Sequence, residues 1–159
     1  MKPPEPLLSA LHEVTQGKPF PWIWLATWDA LRGPQVRTVR LLAFNWLQGA
    51  TTFGCHAEHG TLKQISQESR GQLCLLREQP VLQIRLDVTL SARPGAQHPQ
   101  GERLWQKLSA ADKVHLYQGH PQRPSLPAHF WLVEAHLRGL AEVVRMDEGV
   151  SRVQFRLGD

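Results

Sequence analysis

Two arginines set among aliphatic residues, Arg37 and Arg40 in Val36-Arg-Thr-Val-Arg-Leu-Leu-Ala-Phe44, are the side chains here best suited to hold an anion. In a regular strand their spacing places them on opposite faces, so one of them points inward. A guanidinium turned towards an interior needs an acceptor, and its planar fork matches phosphate or carboxylate oxygens. The plainer reading is a solvated or ion-paired strand residue, and it applies to Arg85 as well. A second group, Cys55-His56-Ala-Glu-His59, brings together residue types that bind zinc, with His12, His115 or His120 available as a fourth ligand. Against it stands a small buried cysteine at a strand end with histidines along a loop, and we expect no metal. Trp22, Trp24 and Trp28 share one strand face, which suits barrel or dimer packing at least as well as stacking on a ligand. Ser/His/Asp spacing, Gly-rich phosphate loops and paired carboxylates do not rise above chance.

Length and composition bound the rest. A chain of 159 residues is expected to form one domain, 1–159, and to bury about two-thirds of its unfolded surface. Hydrophobic residues are 42% and charged ones 20%, a soluble globular mix. The net charge of +4 is small and scattered, so no nucleic-acid partner is expected. No apolar run approaches the ~20 residues of a membrane span, and Met-Lys-Pro-Pro-Glu-Pro at the start is no secretory signal. Two cysteines make no disulfide framework, so a reducing cytoplasm is the default.

These side chains need strands to position them. Trp22–Trp28 and Val36–Phe44 flank Asp29-Ala-Leu-Arg-Gly-Pro34 and read as a hairpin. Leu7, Leu8, Leu11 and Val14 place a helix over Pro6 to Gln16, ended by Gly17 and Pro19. Asn45–Gly49 is a turn, Ala50–Cys55 a third strand, Thr61 to Ser69 a helix closed by Arg70-Gly71, and Leu73–Leu76 a fourth strand. Val81 to Ala92 is the longest strand, with Leu82, Ile84, Leu86, Val88 and Leu90 on one face. Arg93 to Gln100 reads as a loop and Gly101 to Tyr117 as helical, with a second helix start at Ser109 followed by Asp112. Gln118 to Pro127 is another loop. His129–Ala135, Leu140–Met146 and Val150–Leu157 return to strand, the last two across the turn Asp147-Glu-Gly149. Many strands joined by short turns predict a mainly β, Greek-key barrel of about 6–8 strands with peripheral helices.

The order of these elements and several strings resemble the pyridoxamine 5′-phosphate oxidase-like FMN-binding split-barrel family, in the branch without an assigned substrate. The strings are Leu25-Ala-Thr27 and Arg37-Thr-Val-Arg40, Phe53-Gly-Cys-His56, Gln83-Ile-Arg85, Leu104-Trp-Gln-Lys-Leu-Ser109, Pro127-Ala-His-Phe-Trp-Leu132, and Arg152 where the family has a late arginine. The resemblance covers nearly the whole chain. It implies an FMN cofactor, a homodimer with the site between subunits, and a flavin-dependent oxidoreductase acting on an unknown small molecule. It further implies contacts from Arg37, Thr38, Val39, Arg40, Leu41, Leu42, Gly54, Cys55, Lys63, Gln83 and Arg152. Arg37 would fork onto the phosphate, the Thr38–Leu42 strand edge would serve ring and ribityl, and Gln83 a flavin carbonyl.

The chain also departs from that pattern. Leu42 stands where the family carries a basic residue, and Glu58, His59 and Thr61 where its phosphate loop has Arg, Ser and Lys; a two-residue shift recovers Lys63. A carboxylate beside a phosphate costs on the order of 1 kcal/mol even when partly screened. Val144 replaces a ring-covering tryptophan, and the arginine and serine motifs for a substrate phosphate are missing from Arg103 to Pro121. A true pyridoxamine 5′-phosphate oxidase is therefore not expected. The opposing class is a non-enzymatic dimeric split-barrel module that has lost or weakened flavin binding.

Overall fold

The structure is a computed structural model that describes residues 1–117 and 126–158. Its elements are α1 (Glu5–Thr15), β1 (Trp22–Asp29), β2 (Gly33–Asn45), β3 (Ala50–His56), α2 (Gly60–Gln67), β4 (Arg70–Glu78), β5 (Val81–Pro94), α3 (Gly101–Lys107), α4 (Ala110–Tyr117), β6 (Phe130–Met146) and β7 (Val150–Arg156). The strands form one antiparallel sheet in the order β3-β2-β1-β4-β5-β6-β7, and β3 also pairs with β6. That last pairing closes six strands into a barrel and leaves β7 hanging from β6.

Period-two patterning fixes which way each strand faces. Leu82, Ile84, Leu86, Val88 and Leu90 of β5 are all buried, while the residues between them are only half-buried. They meet Ile23 and Leu25 of β1, Leu41 of β2, Phe53 of β3, Leu73 and Leu75 of β4 and Val133 of β6. Leu7, Leu8, Leu11 and Val14 of α1 join the same core, so the amphipathic helix packs onto the barrel. Glu13 ties that helix down, reaching Arg77 of β4 at 2.7 Å and Arg145 of β6 at 2.7 Å. A second cluster of Leu42, Leu104, Trp105, Leu108, Tyr117, Phe130 and Leu132 sits under α3 and α4. Ser109 Oγ accepts the Asp112 backbone N–H at 3.1 Å, the cap expected where α4 begins.

Three expectations need correction. The two strands placed over His129–Ala135 and Leu140–Met146 are one bent strand, β6. Gly139 takes a left-handed φ of 74° and Asp87 accepts the Leu140 N–H at 3.2 Å, so the chain bends at a bulge and keeps pairing. Arg70-Gly71 opens β4 instead of closing α2, because the Glu68 carboxylate accepts the Arg70 N–H at 2.9 Å and turns the chain there. Strand β5 runs on to Pro94, where a loop was expected, since Arg93 and Pro94 still oppose Leu132 and Trp131. Of the loop over Gln118 to Pro127, residues 118–125 lie outside the described residues, and so does His120. Among the described residues no helix is long and apolar enough to cross a membrane.

Candidate functional site

Register decides the fate of the two arginines. Arg37 lies opposite Leu25, which is fully buried, so its side chain enters the open end of the barrel beneath α2. There its Nη2 donates to Thr27 Oγ1 at 3.0 Å and to Gln64 Oε1 at 2.5 Å, and its Nη1 donates to Thr61 Oγ1. Gln64 is itself buried, accepts from Thr27 Oγ1 at 2.6 Å and donates to Asp29 Oδ2 at 3.2 Å. Among the described residues the buried Arg37 Nε has no partner. Burial lowers the pKa of this guanidinium without discharging it. Arg40 leaves by the other face, as the spacing requires. It bonds Asp112 at 2.6 Å and lies 5.5 Å and 5.4 Å from the centres of the Phe20 and Trp22 rings. Its plain ion-paired reading holds, as does that of Arg85, which pairs with Glu142.

Around Arg37 opens a cleft of about 430 Å³, within the size range of small-molecule sites. Its walls come from β2, from Phe53, Gly54, Cys55 and His56 of β3, from His59, Gly60, Thr61 and Gln64 at α2, and from Leu116 and Tyr117 of α4. Among the described residues, Arg32, Arg37 and Arg40 line it and no carboxylate does. Glu58 is exposed and not part of the wall, so the anticipated repulsion of an anion is weaker than its sequence position implies.

Among the described residues no group of three or more His, Cys, Asp or Glu is arranged to hold an ion. The His56 and His129 rings stack face to face, 4.6 Å apart and 10° from parallel, rather than turning nitrogens towards one point. Burial pushes the Cys55 thiol up to about 11, so it stays protonated and behaves as a small hydrophobe. His56 Nδ1 accepts the Glu58 N–H at 3.1 Å, which assigns the proton of the neutral ring to Nε2. That Nε2 is buried without a partner, and burial, followed by His129 and His59, lowers the pKa of the ring.

Of the residues expected at a flavin, Arg37, Thr38, Val39, Arg40, Gly54 and Cys55 line this one cleft. Leu41 and Leu42 do not: Leu41 is in the barrel core and Leu42 in the cluster under α3 and α4. A one-residue bulge between Leu41 and Ala43 turns both leucine side chains to apolar partners. Lys63 is exposed on α2, clear of the wall. Gln83 and Arg152 lie on the outer face, in one row through Val144. Strands β1 and β4 separate Gln83 from β2, a distance of roughly 14 Å at ordinary strand spacing. Arg152 is exposed and 3.7 Å from Glu142. A single chain therefore does not assemble the full set.

Sequence reasoning missed Arg32, Gln64 and Tyr117. Gln64 falls on the apolar stripe of α2 between Thr61 and Ile65, an available signal for an inward polar residue. A shallower cleft of about 710 Å³ between Trp28, Gly71 and the bend of β6 holds none of the expected residues. Its charged groups are largely matched: Arg70 meets Glu68 at 2.8 Å, and Asp87 accepts from Gln72 at 3.0 Å.

No protein-family model matches the sequence, and no curated protein matches it either. Solved structures share its fold. A pyridoxamine 5′-phosphate oxidase-related, FMN-binding protein of Nostoc punctiforme superposes with a TM-score of 0.75 at 17% identity, over 97% of this chain and 90% of that one. A protein of Clostridium acetobutylicum related to general stress protein 26 gives 0.70 at 11% identity, over 98% and 97%. A haem-binding protein of Mycobacterium smegmatis gives 0.61 at 12% identity, over 96% of this chain and 59% of its own. The chain is thus a mainly β split barrel with the fold of the pyridoxamine 5′-phosphate oxidase-like proteins. One fold can serve many ligands, so the cleft itself must carry the functional argument.

Proposed function

We propose that this chain binds FMN, or a related flavin, in the Arg37 cleft and works as a flavin-dependent oxidoreductase on a small molecule. The observation that carries this reading is Arg37: a half-buried guanidinium in a ligand-sized cleft, with its Nε left unpartnered. Three of its five N–H groups serve Thr61, Thr27 and Gln64, which hold the fork in place. Its remaining donors, the Thr61 hydroxyl and the backbone amides opening α2 suit a phosphate. The β3 strand pairs with β2 only from Leu41 onward, leaving the edge of Thr38–Arg40 that does not pair with β1 available to a ring and ribityl chain. The neutral His56 offers an Nε2–H. When bound, the flavin supplies the redox chemistry, and these residues bind, orient and shield it.

The same reading includes a homodimer. Trp22, Trp24 and Trp28 stand 56%, 41% and 51% exposed on the outer face, more indole than a free surface normally shows. In this reading Gln83 and Arg152, on the outer face and away from their own chain's cleft, serve the cleft of the other copy. Free Cys55 and Cys74 fit a reducing, cytoplasmic setting.

A non-enzymatic dimeric module is the second reading. Arg37 is already partly satisfied by its neighbours and Lys63 lies away from the cleft, which favours it. The visible spectrum of freshly purified protein, followed by titration with FMN, separates the two. Flavin absorption, or quenching of added FMN fluorescence, supports the oxidoreductase; neither signal leaves the module.

A further inference from the structure

We propose that Arg32, in the turn between β1 and β2, is the second cation of this cleft and that Arg32 and Arg37 together hold a phosphomonoester dianion. The flavin reading supplies the identity of the molecule that carries the phosphate, and to that extent the proposal rests on it.

The geometry links the two guanidinium groups through one carboxylate. Arg32 Nη2 lies 3.8 Å from Asp29 Oδ2, the same oxygen that accepts from Gln64 Nε2 at 3.2 Å. Gln64 Oε1 in turn accepts from Arg37. Asp29 has other work: its Oδ1 accepts the backbone N–H groups of Leu31 and Arg32, both at 2.9 Å, and so folds the turn. Its grip on the Arg32 side chain is a charge contact beyond hydrogen-bond length, and that side chain is 67% exposed. Arg32 is thus a cation at the wall of the cleft that can move to a better partner at little cost.

Charge counting gives the class of ligand. Three arginines line the cleft, and Asp112 neutralises Arg40. That leaves Arg32 and Arg37 sharing Asp29, an excess of one positive charge beside the first turn of α2. Arg32 adds to the burial that lowers the Arg37 pKa, while Asp29 opposes it. The Arg37 Nε and the Nε2 of His56, a residue only 7% exposed, are two further donors in the same wall without acceptors among the described residues. A dianion with three terminal oxygens engages both guanidinium groups and these donors together, whereas a carboxylate has oxygens for only part of the set.

Flavin affinity read with and without the phosphate tests this. FMN and riboflavin are titrated against the wild-type chain, R32Q and the distant surface control R70Q, by flavin fluorescence. Expected is tighter binding of FMN than riboflavin by the wild type, and a loss of roughly three- to tenfold for FMN in R32Q, with riboflavin unchanged. R70Q should match the wild type. An unchanged FMN affinity in R32Q, equal binding of FMN and riboflavin by the wild type, or an equal loss in R70Q overturns the role of Arg32 and leaves the flavin reading standing. If the wild type binds neither flavin, that reading fails and inorganic phosphate decides the present proposal. A rise in Tm with phosphate that R32Q lacks supports it, and no such difference overturns it.

Discussion

Tyr117 stands directly over Gly54: a Cβ at that glycine would overlap the tyrosine hydroxyl and lie 3.3 Å from Leu42 Cδ1. The contact seats α4 on β3 at the wall of the cleft, with the ring edge-on to Phe130 at 4.9 Å. Strand pairing asks nothing of Gly54 that another residue could not supply; the close approach of Tyr117 does.

G54A should therefore destabilise by about 1–3 kcal/mol, the usual cost of forcing extra atoms into a packed site. In a chain of this size that is a fall in Tm of roughly 3–10 °C. Y117F removes the overlapping oxygen, so G54A/Y117F should recover part of the loss relative to the sum of the single changes. A thermal-melt double-mutant cycle with no coupling would show that the two residues are independent.

Glu13 gives the stability a defined acid dependence. The Arg145 and Arg77 guanidinium groups hold its carboxyl at about 2, against an ordinary value of 4.5. A depressed carboxylate stabilises the fold above its unfolded pKa, and that contribution is lost as pH falls from about 5 towards 2. The side chain is 31% exposed, so solvent screening reduces the contribution to about 1 kcal/mol. E13Q should melt below the wild type at pH 7, and the gap should narrow by pH 3 and close at about pH 2 or below. A gap that persists unchanged at pH 3 would show that packing, not charge, docks α1.

How much of this was legible in the sequence depends on the range of the interactions. The alternation of Leu82 to Leu90 is local, and it fixed the faces of β5 correctly. Trp22, Trp24 and Trp28 share a face for the same reason. The two strands expected over His129–Ala135 and Leu140–Met146 are one, because Gly139 between them bends the chain and Asp87 of the neighbouring strand holds the bend. The partners of Arg37 come from β1 and α2, 10 to 27 residues away in the chain. Arg32 fell inside the Asp29–Pro34 turn, where nothing local says that α2 will fold back towards it. Residue types raised the expectation of an anion site, but only the closed barrel places Arg32 and Arg37 on one cleft wall.

At Arg37 the fork matters as much as the charge. R37K keeps the cation but cannot reach Thr27, Gln64 and Thr61 at once in this geometry. A buried Gln64 Oε1 then loses a charged donor, for a cost of about 1–2 kcal/mol in stability. On the proposed function, FMN affinity should fall by roughly tenfold or more, since the bidentate contact is lost. Wild-type affinity in R37K would mean that the phosphate is held elsewhere.

The proposed dimer makes its own demand on Trp24. Its neighbours across the strands are Thr38 and Cys74, so it sits mid-row on the outer face. W24E places a charge in the middle of the proposed seam while leaving the barrel core untouched. Sedimentation should show a dimer for the wild type and a monomer for W24E, with the far-ultraviolet spectrum preserved. A wild type that stays monomeric at micromolar concentration would remove the dimer, and with it the route by which Gln83 and Arg152 join the cleft.

The last prediction is negative and concerns substrate. A pyridoxamine 5′-phosphate oxidase must hold a second phosphate beside the flavin, and that needs cations beyond those spent on the cofactor. Leu42, where the resemblance places a basic residue, is 4% exposed and packed with Trp105 and Phe130, so no charge can be hidden there. Lys113 lies over the Trp105 ring at 5.5 Å and Arg40 is bound to Asp112, so neither is uncommitted. With Arg32 and Arg37 assigned to one phosphate, a second dianion would lose its water with few charged partners to offset the loss. The chain supplied with FMN should not convert pyridoxamine 5′-phosphate at an enzymatic rate. Formation of pyridoxal 5′-phosphate at ~1 per second or faster, followed by its absorbance, would show that the cleft holds two phosphates after all.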